Sequence, residues 1–225
     1  MIIQDLGRMA YRDAWALQER AHADVVAGGE ERVLFVEHPP VITFGRRAGI
    51  ERHLIASDAQ LKARDVDVVQ SDRGGDITFH GPGQIVVYPI IRLIDHRLSV
   101  GAYVHKLEEI VILALQELGI SARRDPGAVG VWVGVDDGKR EPAKISAFGV
   151  RVRQGVTMHG LALNVETDLS FFDLIIPCGV NDRRVTSVRK LKGSDGPTID
   201  AVKQSLHRHL AAAFQSPLAD PGVAR

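Results

Sequence analysis

A single thiol stands out in the chain, Cys178, set in Ile176-Pro177-Cys178-Gly179-Val180. One cysteine can form neither an internal disulfide nor a paired-cysteine metal site, so it is either a small buried apolar group or a nucleophile. Its neighbours suit a nucleophile: Pro177 fixes one backbone dihedral and Gly179 removes a side chain, the make-up of a tight bend that a substrate can approach. Three other places carry groups able to serve a thiol. Lys144 follows Pro142-Ala143 and precedes Ile145-Ser146-Ala147-Phe148-Gly149; a lysine desolvated among apolar neighbours loses proton affinity and becomes a usable base. His159 and Asn164 interrupt the apolar run Met158–Val165, either as hydrogen-bonded core groups or as site residues. The segment 72–84, Asp-Arg-Gly-Gly-Asp-Ile-Thr-Phe-His-Gly-Pro-Gly-Gln, places four glycines with Arg73 and His80. Such a loop reads either as tight turns around an edge strand or as main chain drawn close to a ligand.

Together these residues suit covalent catalysis by a nucleophilic thiol. The sequence contains neither G-x-x-x-x-G-K-[ST] nor G-x-G-x-x-G, which removes the most direct support for an ATP or dinucleotide site. A thiol is only a few per cent thiolate at neutral pH, so a base within reach raises the reactive fraction. On residue type alone, His80 or His159 would be nominated for that base ahead of Lys144.

The elements that must hold these groups follow from periodicity. A helix is predicted over 11–26, ending before Gly28-Gly29, and a second from Ser99 to Gly119, where Val100, Tyr103, Val104, Leu107, Ile110, Val111, Ala114 and Leu118 share one face. Ser57 with Gln60 three residues later signals a capping box and a short helix. A last helix carries Val202, Leu206, Leu210 and Phe214 four apart, and 216–225 reads as a frayed, disordered tail. Strands are predicted at 33–36, 41–44, 66–69 and 85–88, and 145–153 and 156–165 form a hairpin turning at Gln154-Gly155. Strands in runs with few helices between them give an α+β fold, a mixed or antiparallel sheet flanked by helices, in one domain over 1–215.

The chain has 225 residues and a formal net charge of +0, with 28 basic and 28 acidic side chains. That balance speaks against a nucleic-acid or membrane-surface partner, and no apolar run reaches the ~18 residues of a spanning helix. The first residues show no secretory pattern, so a reducing cytoplasm and a monomer are the expectations. The run Arg183-Arg184-Val185-Thr186-Ser187-Val188-Arg189-Lys190-Leu191-Lys192 is the one basic stretch that could meet an acidic partner, or else a solvated face.

Taken in order, Arg73-Gly74-Gly75, Thr78-Phe79-His80-Gly81-Pro82-Gly83-Gln84, Lys144-Ile145, His159-Gly160-Leu161-Ala162-Leu163-Asn164 and Pro177-Cys178-Gly179 resemble the lipoyl(octanoyl) transferase family, from about Glu37 to Ser187. The resemblance implies the fold of the biotin and lipoate protein ligases and an enzyme moving octanoyl groups from acyl carrier protein to lipoyl domains of 2-oxoacid dehydrogenases and the glycine cleavage H protein. It implies no cofactor and no metal, the acyl group arriving on the carrier's phosphopantetheine. It casts Cys178 as acyl-accepting nucleophile and Lys144 as general acid/base. By the same resemblance the substrate is bound by Arg73, Gly74, Gly75, Asp76, Ile77, Thr78, Phe79, His80 and Gly81, by Ser146, Ala147, Phe148 and Gly149, and by His159, Gly160, Leu161, Ala162 and Asn164, with the histidines positioning substrate or supporting groups that do. Rival readings are an ATP-dependent lipoate or biotin protein ligase, faintly echoed by Gly45-Arg46-Arg47-Ala48-Gly49, and an inactive acyl- or lipoyl-domain binding protein.

Overall fold

The computed structural model describes residues 1–134, 142–176 and 184–214. The chain begins with β1 (Ile2–Arg8) and α1 (Tyr11–Val26), then β2 (Arg32–Glu37) and β3 (Val41–Phe44). A short helix α2 (Asp58–Ala63) leads to β4 (Asp67–Gln70), β5 (Thr78–His80) and β6 (Gln84–Ile90). The long α3 (Val100–Glu117) is followed by β7 (Arg123–Asp125), β8 (Ala128–Val133), β9 (Ala143–Arg153) and β10 (Val156–Asn164). The two-residue β11 (Arg184–Val185), α4 (Val188–Lys192) and α5 (Ile199–Phe214) complete the described chain.

An eight-stranded sheet runs β1-β2-β6-β10-β9-β8-β7, with β11 parallel to the start of β9, and a three-stranded sheet runs β4-β3-β5. The large sheet is mixed, since β1 and β2 are parallel and β2-β6-β10-β9-β8 antiparallel. Its strands alternate as a sheet covered on both faces requires. Val33, Phe35, Ile85, Val87, Leu161 and Leu163 pack with Leu107, Val111, Leu206 and Leu210 of α3 and α5. Leu34, Val36, Val86, Tyr88 and Ala162 face the other way, against Ala14, Ala21 and Val25 of α1. A separate apolar cluster under the small sheet joins Ile42, Phe44, Leu61, Ile77, Phe79, Phe172 and Leu174.

Local signals behave as the sequence predicts. Ser57 caps α2 through Gln60 N while the Gln60 side chain accepts from Ser57 N, a full capping box, and Ser99 caps α3 through Ala102 N. Gln154 (φ 51°) and Gly155 (φ 75°) both adopt the left-handed region, the requirement of the two-residue turn between β9 and β10. The basic run is less available than its composition suggests. Arg183 lies outside the described residues, Arg189 is paired with Glu166, and Lys192 caps the end of α3 through Gly119 O at 2.7 Å. The proposed tail also lies outside the described residues, and no helix among them is long and apolar enough to cross a membrane.

Candidate active site

Where β6, β10 and β9 meet, the face turned towards α1 opens into a cavity of about 430 Å³. Register accounts for its floor: Ala162 pairs with Val86 and Asn164 with Gln84, so alternate residues Gln84, Val86 and Tyr88 of β6 and Gly160, Ala162 and Asn164 of β10 share it. Lys144, Ser146, Phe148 and Val150 of β9 form one wall, and the loop Arg73–Thr78 another. Val104, Val129, Phe172 and Ile77 add apolar surface, so the site has an apolar interior with polar groups at its margins.

The glycines act through close approach. A Cβ on Gly74 would lie 2.8 Å from Val150 O, and Gly74 N donates to that same carbonyl at 3.0 Å, pressing the loop onto β9. A Cβ on Gly160 would lie 2.1 Å from Val87 O, so only glycine permits the β6–β10 contact beneath the cavity. Arg73 is a buried anchor, not a solvated charge: its guanidinium donates to Thr43 O at 2.6 Å, to Thr43 Oγ1 at 3.0 Å and to Gly74 O at 3.0 Å, tying the loop to the small sheet. Asp76 is also buried; it accepts from His53 Nδ1 and Ile77 N, each at 2.7 Å, with Arg47 Nη1 at 3.7 Å.

Three imidazoles gather beside the cavity. His38 is fully used, its Nδ1 donating to Met9 O at 2.7 Å and its Nε2 accepting from Tyr88 Oη at 2.8 Å. Burial pushes its pKa down to about 4. His159 Nε2 donates to Asp72 Oδ1 at 2.6 Å, its backbone N to Gln18 Oε1 at 2.8 Å, and Arg151 pairs with the same Asp72. Burial, with the Arg73 and Arg151 charges, pushes His159 down to about 3, and its φ of 56° is one that non-glycine residues seldom adopt. His80 Nδ1 lies 2.7 Å from Gln84 Oε1 and its ring stacks on Tyr11 at 5.9 Å; burial, then the His38 and Arg73 neighbours, hold it well below the ordinary histidine range. All three rings are therefore neutral near neutral pH.

Most of the nominated residues line this cavity: Arg73, Gly74, Gly75, Asp76, Ile77, Thr78, His80, Lys144, Ser146, Ala147, Phe148, Gly149, His159, Gly160, Leu161, Ala162 and Asn164. Phe79 and Gly81 do not. Phe79 alternates away from the cavity on β5 and packs with Phe171 and Phe172, and the Gly81 Cα hydrogen faces that ring, where a Cβ would lie 2.4 Å from Phe79 Cζ. Lys144 is half-buried, not fully desolvated; its Nζ donates to Val129 O at 3.0 Å and lies 4.8 Å from the Trp132 ring centroid. Cys178, Pro177 and Gly179 lie outside the described residues. The chain resumes with β11, where Val185 pairs with Lys144 and Thr186 N donates to Lys144 O at 2.9 Å. Among the described residues no cluster of three or more His, Cys, Asp or Glu is arranged to hold a metal ion.

Tyr11, His38, Gln84, Val86, Tyr88, Val104 and Phe172 belong to the site or its support without having been nominated. Gln84 closes the glycine-rich motif and could have been found there; Tyr11 and Tyr88 arrive only through tertiary packing.

A mixed sheet flanked by helices, with a cavity of apolar interior walled by a glycine-drawn loop and a strand-borne lysine, is the frame of a catalytic domain, and the chain belongs to the lipoyl protein ligase A/B catalytic-domain family, whose pattern matches residues 10–211. Its place in that family is with the octanoyltransferases, and it is a transferase enzyme. It is 45% identical over 216 residues to an octanoyltransferase from Chloroflexus aurantiacus, covering 95% of this chain and 94% of that one. It is 42% identical to another from Nitratidesulfovibrio vulgaris over 224 residues, covering 100% and 99%. A lipoate-protein ligase A bound with ATP shares the fold, with a TM-score of 0.75 at 19% identity over 96% of this chain and 87% of that one.

Proposed function

We propose that this octanoyltransferase takes its acyl group from the phosphopantetheine thioester of acyl carrier protein onto Cys178 and delivers it to the acceptor lysine of lipoyl domains, those of 2-oxoacid dehydrogenases and of the glycine cleavage H protein. The observation that carries the reading is Lys144 on the cavity wall, clamped by β11 at the point where the chain returns from the cysteine segment. The apolar interior receives the alkyl chain, and water excluded from it cannot hydrolyse the thioester. Lys144 takes the thiol proton as the cysteine attacks the carrier thioester and returns a proton to the departing pantetheine thiol. In the second half the lysine amine attacks the cysteine thioester, and formation of the amide makes the sequence effectively one-way. Neither half needs a cofactor or a metal. We further propose that the protein works as a monomer in the cytoplasm, as expected of an enzyme serving soluble carrier domains.

The test is covalent trapping. Incubation with octanoyl-CoA should leave a hydroxylamine-labile octanoyl adduct on Cys178 by mass spectrometry, and Cys178→Ser should lose both the adduct and transfer to an apo lipoyl domain. Transfer persisting in the serine variant would mean direct attack of the acceptor on the carrier thioester. Dependence on ATP would mean that the acyl group is activated by the nucleotide before transfer, not taken from a thioester.

A further inference from the structure

The hydrogen-bond relay behind His80 fixes where its proton sits. Phe79 O and Thr186 O are backbone carbonyls and can only accept. Gln84 Nε2 donates to Phe79 O at 3.2 Å and to Asn164 Oδ1 at 2.9 Å, while Asn164 Nδ2 donates to Thr186 O at 3.1 Å. Both amides are thus oriented by main chain, and Gln84 Oε1 must be the atom facing His80 Nδ1. His80 therefore carries its proton on Nδ1, and its Nε2 is a lone pair. That lone pair has no partner among the described residues, and the ring lines the cavity.

The other two imidazoles cannot substitute. His38 uses both nitrogens, and His159 spends Nε2 on Asp72 while its Nδ1 is closed off from solvent. The cavity is thus offered one imidazole acceptor that cannot donate. An acyl thioester gives it nothing to bind, since the carbonyl oxygen is itself an acceptor and the alkyl chain is apolar. Among the reacting groups the donors are the thiols and the incoming amine; the amide N–H groups of pantetheine belong to the carrier arm, which departs before the second half.

We propose that His80 Nε2 is the hydrogen-bond acceptor for the ε-amino group of the acceptor lysine, positioning its nitrogen for attack on the acyl carbon. The inference rests on the acyl-enzyme reading above and assigns a residue to its second half. As the amine attacks, the C–N bond forms and the carbonyl pair moves to oxygen; on collapse the C–S bond breaks and its electrons leave on sulfur. Of the two amine protons, one passes through Lys144 to the thiolate, and the one held against His80 remains on the amide nitrogen. The ammonium sheds its third proton to water before attack, a loss favoured by the Arg73 guanidinium that bears on the same ring. A neutral imidazole suits an amine better than a thiol, because the amine must keep a donor bond while its own lone pair stays free, whereas a thiol must give up its only proton. Because burial, the His38 ring and Arg73 keep His80 from protonating, the acceptor persists across the working pH range.

Two measurements test this separately. Long-range ¹H–¹⁵N spectra of the labelled protein, with His80 assigned by its loss in His80→Phe, should show a neutral ring protonated on Nδ1; Gln84→Met, which removes the acceptor facing Nδ1, should lose that preference. Single-turnover kinetics should then split the half-reactions. In His80→Phe and Gln84→Met, aminolysis by an apo lipoyl domain should slow by about 100-fold, at least tenfold more than any loss in acylation of Cys178 by octanoyl-CoA, since both side chains also line the cavity. An Nε2-protonated ring in the unaltered protein overturns the inference, whatever the variants do. So does aminolysis at the normal rate, or an equal loss in both halves, which would assign the lone pair to the thiol. If the unaltered protein forms no cysteine adduct, the covalent reading itself falls and this inference with it.

Discussion

Three neutral histidines packed beside one cavity make the fold sensitive to acid. A histidine whose folded pKa lies below its unfolded value binds its proton more readily in the unfolded chain, so its contribution is present above about pH 6.5 and is lost as pH falls towards the folded value. His38 is pushed down to about 4 and His159 to about 3, so at pH 5 both remain neutral while folded, and burial shifts His80 in the same direction. Each unfolded counterpart is then mostly protonated, which costs the native state about 2 kcal/mol per ring between about pH 7.5 and pH 5, or roughly 4 kcal/mol for His38 and His159 together. Set against a total stability of about 5–15 kcal/mol, that is enough to bring the domain near its unfolding threshold. The assay is urea unfolding followed by far-ultraviolet circular dichroism across this pH range. His159→Gln should shrink the pH-dependent change by about 2 kcal/mol, because glutamine does not titrate. An unfolding free energy that stays flat in the unaltered protein, or a pH dependence that His159→Gln leaves untouched, would refute the reasoning.

Three further outcomes are expected. Gly160→Ala, whose Cβ would meet Val87 O at 2.1 Å, should lower stability by about 3 kcal/mol and abolish turnover by forcing β6 and β10 apart, measured by thermal melting and acyl transfer. Lys144→Arg should cut kcat by roughly 100-fold or more, because a guanidinium keeps the charge but cannot exchange a proton near neutrality; near-normal kcat with a flat pH profile would make Lys144 an electrostatic anchor. Arg184→Glu with Lys190→Glu, both on the outer surface beside the site, should raise KM for octanoyl-acyl carrier protein several-fold, by about 1 kcal/mol, while leaving octanoyl-CoA unaffected; equal losses with both donors would place these side chains in the pocket's own support.

The parts of the molecule that repeat a local rule were legible from residues alone. The helix beginning at Ser99, the capping box at Ser57 and the turn at Gln154-Gly155 each depend on neighbours a few positions away. By contrast β1 was missed because it lies at the sheet edge with most of its residues exposed, so no alternation announces it. The β7–β8 pair was missed as well, its apolar run being broken by Gly130, and α4 read only as a stretch of charge. In the site, motif glycines and polar residues were recognisable, but the alternation of β5 that turns Phe79 away from the cavity is a matter of register. The carboxylate on His159 comes from Asp72, 87 positions away, and no periodicity in the sequence connects the two.

The floor of the cavity also bears on how the chain folds. The β9–β10 hairpin closes across two residues and belongs to the earliest events, whereas β6 and β10 must find each other across a long stretch of chain; Gln84 and Asn164 are 80 positions apart. Loop-closure entropy is spent on that encounter before its contacts repay it, which places it late on the folding route. The acyl cavity, lying on the β6–β10 seam, therefore comes into existence only at the final assembly of the sheet. A partly folded chain, whether newly made or transiently opened, lacks this cavity, so under the proposed mechanism competence to take up acyl groups is a readout of completed folding.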